Sequence, residues 1–182
     1  MRVLKGVILA AAVLLVGGAP AGAVDLVSPD GSIAQPYQHW ADLSHVPTVD
    51  EVLTIDTDMS TCDALWHGVR ACIEPLRGAI HLRDARCGLF SAQAWRKCRF
   101  TVMHEVGHQF EYRMPDWKRN RFAHLFFGAP PWDSSEEISE GFADVYAMCS
   151  MGTQFPIDAS WTYPGISARN FRRACHLIRI PN

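Results

Sequence analysis

Residues Thr101-Val-Met-His-Glu-Val-Gly-His-Gln-Phe110, TVMHEVGHQF, set two histidines four positions apart with a glutamate directly after the first. On a helix, residues four apart differ by about 40° of rotation and lie one turn above each other. His104 and His108 therefore point the same way and can share one metal ion. Glu105 is rotated away from the ligand direction but stays beside it, where a carboxylate can hold a water molecule and take its proton. Zinc lowers the pKa of a bound water toward about 7, so such a carboxylate completes the deprotonation at neutral pH. Gly107 costs about 1 kcal/mol relative to Ala inside a helix, which predicts close approach of another element at that point.

The pattern H-E-x-x-H also arises by chance in roughly one chain in a few hundred of this length. Two partly buried helix histidines would satisfy it without any metal. A zinc site of this kind needs a third protein ligand and one open position, so the rest of the chain decides. A continuation as H-E-x-x-H-x-x-G-x-x-H fails, because Glu111 and Met114 stand where Gly and His are required. Asp116, just after a proline, has nothing to support it as a ligand. A second helix offers EEISEGFADVYA at 136–147. Glu140 and Asp144 are four apart and share a face. Glu140 can bind the metal, and Asp144 can accept the free ring N–H of a ligating histidine, fixing its tautomer. Glu136 lies on the same stripe and is the alternative ligand. Its place in the first helical turn, where acids serve capping and dipole roles, favours Glu140, which also has Gly141 beside it.

His104-Glu-Val-Gly-His108 followed by Glu140-Gly-Phe-Ala-Asp144 resembles the gluzincins, the thermolysin-like branch of zinc metallopeptidases. The resembling motifs cover about 45 residues. The resemblance implies a zinc ion held by His104, His108 and Glu140, with Glu105 as general base and acid and Asp144 behind a ligating histidine, His104. The short chain is similar to the small, minimal members of that group. An oxyanion-stabilising His or Tyr is expected from a later segment; Tyr163 and His176 are weak candidates. The resemblance also implies a sheet-edge strand beside the active helix that pairs with extended substrate, a role assigned to Gly78–Arg83. His67 and His81 read as ordinary surface or core histidines.

Outward from the site, Ser91 is placed to cap a helix running to about Tyr112 and stopping before Met114-Pro115, since a residue before proline avoids helical geometry. Trp117 to Phe127 reads as a helix. Ser134-Ser-Glu-Glu137 forms a capping box for a helix to about Met151, with Gly152 beyond its end. Ser167 to Ile178 reads as a last helix. Upstream, Val52–Ile55, Trp66–Ile73 and Gly78–Arg83 read as strands. Strands first and helices after predict an α+β fold, and the resemblance implies that it is zincin-like: a small N-terminal twisted sheet packed on the active-site helix, then a mainly helical C-terminal part.

Residues 1–23 carry Arg2 and Lys5, an apolar run from Val7 to Val16, and the small residues Ala21-Gly-Ala23. This predicts a secretory signal peptide, too short for a membrane span. Cleavage after Ala23 would take 23 of the 182 residues. The remainder suffices for one domain: an extended arm over 24–50, rich in Pro, Ser, Asp and Gly, and a metallopeptidase-like domain over 51–182. Six cysteines, all beyond the signal, predict three disulfides in an exported protein. The expected pairs are local: Cys62–Cys72, Cys87–Cys98 and Cys149–Cys175. The chain holds 17 basic and 19 acidic residues, a balance in which nothing suggests a nucleic-acid or anionic-membrane partner. The run Lys118-Arg-Asn-Arg121 reads as a solvated helix face.

The expectation is thus a secreted, monomeric zinc peptidase acting on protein, peptide or peptidoglycan-peptide substrates, with no membrane span after signal cleavage. The alternatives are a non-enzymatic secreted zinc-binding module on a metalloprotease-like fold, which would have little need of Glu105, and a disulfide-stapled domain without metal, which would leave Glu140 and Asp144 unexplained.

Overall fold

A computed structural model describes residues 23–65, 68–83, 91–127, 136–153 and 167–181. The elements run β1 (Asp25–Val27), α1 (Tyr37–Asp42), β2 (Val52–Asp56), α2 (Ser60–Leu65), β3 (Ala71–Glu74), β4 (Ala79–Leu82), α3 (Ala92–Arg113), α4 (Asp116–Phe127), α5 (Glu136–Met151) and α6 (Ala168–Arg179). This is an α+β arrangement: a four-stranded sheet, then a mainly helical C-terminal part. The expected signal peptide, residues 1–23, lies outside the described residues but for Ala23.

The sheet has the order β1-β2-β4-β3. β1 pairs parallel with β2, β2 parallel with β4, and β3 antiparallel with β4. Alternation sends Leu26, Leu53, Ile55, Ile80 and Leu82 to one face, where they join the main core. Cys72, Glu74 and His81 take the other face. Cys62 of α2 reaches Cys72 there through a disulfide, and Met59 packs beside the pair.

Three expectations about the N-terminal half need correction. Residues 24–50 are not an arm. Asp25–Val27 forms an edge strand, and Val24, Leu26 and Trp40 are fully buried. Gln38 of α1 holds this segment by accepting from the Leu26 N–H at 2.6 Å and donating to the Val24 carbonyl at 3.0 Å. The second strand begins at Ala71 rather than Trp66, because Gly68 turns the chain at φ +80°. The strand over 78–83 is interior, not an edge: the turn at Glu74–Gly78 folds β3 onto its outer side, so β3 forms that edge.

His81 of β4 is buried between two acids. Its Nδ1 lies 2.7 Å from Asp56 Oδ1 and its Nε2 lies 3.0 Å from Glu74 Oε1. Burial opposes charge on the ring, but the two carboxylates outweigh it and raise the pKa above the ordinary value. A folded-state pKa raised above the unfolded one gives stability that is complete below the unfolded value, about 6.5, and lost as pH rises through the folded value. His81→Gln should therefore flatten part of the pH dependence of the thermal midpoint. Wild type should exceed the variant most in mild acid, and the gap should close in alkali. A gap independent of pH would contradict this.

The helices follow their sequence signals closely. Ser91 Oγ accepts from the Ala94 N–H at 3.0 Å, and α3 ends where Met114 turns extended before Pro115. Gly152 follows α5 with φ +66°, the left-handed conformation that glycine adopts without strain. Ser167 caps α6 through the Asn170 N–H. The capping box Ser134–Glu137 begins outside the described residues. Two of the three expected disulfides are present, Cys62–Cys72 and Cys149–Cys175, the second tying α5 to α6. Cys87 of the third pair lies outside the described residues. Lys118 departs from the expected solvated face. It is fully buried, over the Phe110 ring, with Nζ on the carbonyls of Ile178 and Ile180 at the end of α6. Burial pushes its pKa down to about 8.

The central packing is α3 against α5. Phe110 packs its ring against Phe142 and Tyr146, and Val102, Met103, Val106 and Val145 join them in the buried core. Gly107 sits at the closest approach, as expected. A Cβ there would come within 3.1 Å of Ala143 Cα and of Tyr146 Cβ, and 3.2 Å of Tyr146 Cδ1. Two of these atoms are backbone or next to it, so they cannot swing aside. Gly107→Ala gains about 1 kcal/mol of helix propensity but forces the helices apart, and overpacking of this kind costs about 1–3 kcal/mol. The expected outcome is a net loss of stability in denaturant unfolding, larger for Gly107→Val. A stabilised Gly107→Ala protein would contradict this packing.

Candidate metal centre

α3 and α5 supply the whole site. His104, Glu105 and His108 come from one side of α3, and Glu140 and Asp144 from the facing side of α5. His104 Nε2 and His108 Nε2 are 3.1 Å apart. Glu140 faces both rings, with Oε2 at 3.0 Å from His104 Nε2 and Oε1 at 3.3 Å from His108 Nε2. Among the described residues, these three form the one group of His, Cys, Asp or Glu ligand atoms compact enough to hold a metal ion.

The separations fit such an ion. Donors at the usual zinc distance of about 2.0–2.1 Å in a tetrahedral arrangement stand roughly 3.3 Å from one another. The far side of each ring is also prepared. His104 Nδ1 donates to Asp144 Oδ1 at 2.8 Å, and Asp144 is buried. His108 Nδ1 meets Ser139 Oγ at 3.2 Å, and Ser139 donates onward to Glu111 Oε2 at 2.6 Å. With both Nδ1 protons committed, each neutral ring presents a lone pair at Nε2. Two lone pairs and a carboxylate then converge on one point, an arrangement that calls for positive charge.

The titration behaviour expresses the same demand. Burial opposes protonation of His104, yet Asp144, Glu140 and Glu105 push its pKa up to about 10. Burial likewise opposes His108, and Glu111 and Glu140 push it up to about 9. Burial alone would raise Glu140, but the two histidines hold it well below the usual carboxylate range. Glu105 is buried and moves the other way. Desolvation raises its pKa, against the pull of His104 and His108. Two acids in one site thus have opposite tendencies, Glu140 toward permanent charge and Glu105 toward carrying a proton.

Of the residues expected at the site, His104, His108 and Glu140 lie together with Asp144 behind His104, and Glu105 is buried on the same helix as the two histidines, within electrostatic reach of all three ligand residues. Glu136 opens α5, and its side chain lies outside the described residues, as do Tyr163 and His67. His176 is exposed on α6, Asp116 is exposed at the start of α4, and His81 is on the outer face of the sheet. Sequence reasoning missed Ser139 and Glu111. Glu111 is three residues after His108 and so on its face of the helix, and Ser139 immediately precedes Glu140. Those spacings are the signal that could have found them. The described disulfides are compatible with an extracellular protein, and no described helix is long and apolar enough to cross a membrane. Compared with protein families, with curated proteins and with solved structures, the chain matches none.

Proposed function

We propose that the protein is a secreted zinc-dependent peptidase of the gluzincin type, hydrolysing amide bonds with Glu105 as general base and acid. The observation that carries this reading is the convergence of His104 Nε2, His108 Nε2 and a Glu140 carboxylate at mutual distances of 3.0–3.3 Å, with a buried carboxylate on the residue next to a ligand. A purely binding role for the metal would leave that carboxylate without a purpose.

When bound, zinc supplies Lewis acidity toward a substrate carbonyl and toward water. The chain's own residues do the rest. Glu140 and the two histidines fix the site on two helices locked by packing. Asp144 keeps His104 in the tautomer that leaves Nε2 free. Glu105, its proton affinity raised by burial, accepts a proton from the attacking water and returns it to the departing nitrogen. β3, the outer strand of the sheet next to α3, offers the backbone edge along which an extended peptide adds as a further strand. Protein, short-peptide and peptidoglycan-peptide substrates all present such a backbone.

Elemental analysis of the purified protein tests the first half of the proposal, with about one zinc per chain expected. Cleavage of a broad peptide library and of peptidoglycan tests the second. A protein that carries zinc and cleaves neither would point to a binding module instead.

A further inference from the structure

The two histidines are held from behind in different ways. His104 meets a buried carboxylate directly. His108 does not, because Glu111 Oε2 stands 3.5 Å from its Nδ1, and the Ser139 hydroxyl is closer to both, at 3.2 Å from the ring and 2.6 Å from the carboxylate. An ionised carboxylate only accepts, so the hydroxyl hydrogen points to Glu111 and the hydroxyl oxygen accepts from His108 Nδ1–H. A hydroxyl polarised in this way is a stronger acceptor than an isolated one. Glu111 cannot itself be a ligand: it lies on the Nδ1 side of the ring, whereas Glu140 occupies the Nε2 side.

We propose that Ser139 and Glu111 act as a relay that positions His108, fixing its tautomer and raising the donor strength of Nε2, so that metal affinity depends on a serine hydroxyl that never touches the metal. This rests on the metal centre proposed above. It adds that a single turn of α5 delivers a ligand and the support of another ligand together, since Ser139 and Glu140 are adjacent. The approach of α5 to α3 then completes both histidine settings in one step, Asp144 for His104 and Ser139 for His108.

The relay is a positioning device, and its measure is affinity rather than turnover. Zinc dissociation constants of the full chain, measured by competition with a chromophoric chelator, should weaken about 10- to 100-fold in Ser139→Ala and in Glu111→Gln, the range expected when a partner behind a metal ligand is removed. Ser139→Thr, which keeps the hydroxyl, should recover most of the loss. The thermal midpoint of the metal-free protein should move little in any of the three. Ser139→Ala binding zinc within twofold of wild type would overturn the relay and leave the metal centre standing. A weakening that Thr does not rescue, matched by an equal loss of metal-free stability, would also overturn it, reducing Ser139–Glu111 to a helix–helix tie. Wild type failing to bind zinc would overturn the metal centre, and the relay with it.

Discussion

Glu105→Gln should retain its zinc and lose about two to four orders of magnitude in kcat/KM, the usual contribution of a positioned general acid–base. The substitution is nearly isosteric and removes only the ability to accept and return a proton. Glu105 is not one of the three residues whose ligand atoms form the triangle, His104, His108 and Glu140, so metal content measured by elemental analysis should match wild type. The site is enclosed by α3 and α5, and a buried amide tolerates that setting better than an unpaired charge. Full activity in a zinc-loaded Glu105→Gln protein would remove Glu105 from the chemistry, whatever the fate of the metal.

Glu140→Ala should do the opposite, abolishing metal binding and activity together. Its carboxylate spans both imidazoles and supplies the only negative charge in the triangle. Without it, two neutral nitrogens remain as ligands. The expected weakening of zinc affinity exceeds the roughly 10- to 100-fold typical of outer partners and should reach about 10³-fold or more. His104 and His108 should also become easier to deprotonate, since Glu140 is among the groups that push them up to about 10 and about 9. NMR titration of the metal-free variant would show this as a downward move of both imidazoles. Zinc retained at wild-type affinity would shift the third ligand to another acid, with Glu136 the first to test.

The helical half of the fold was legible because its signals are local. Ser91, Pro115, Gly152 and Ser167 each act within a turn of their own position, and α3, α4, α5 and α6 end close to where those residues place them. The ligand triangle was legible for the same reason twice over, since i, i+4 spacing on each of two helices needs no knowledge of how they cross. The sheet was harder. β1 is three residues long and exists only through its pairing with β2, so nothing in its own sequence distinguishes it from the loop around it. α1 owes its place to Trp40 and Gln38, which are buried by contacts with distant segments. Which side of β4 the β3 hairpin falls on is a tertiary choice, and with it the identity of the edge. Ser139 and Glu111 look like ordinary helix-surface residues until α3 and α5 are brought together.

That crossing gives the protein an internal gauge. The ligand triangle spans the gap between two helices whose separation is set, one turn away, by the missing side chain of Gly107. Any substitution that widens the gap must also lengthen the distance from Glu140 to the two imidazoles. Zinc affinity across a graded series at position 107, from Gly through Ala to Val, would then report sub-ångström changes in backbone spacing that denaturant melts cannot resolve. Packing and coordination in this molecule are read on one scale.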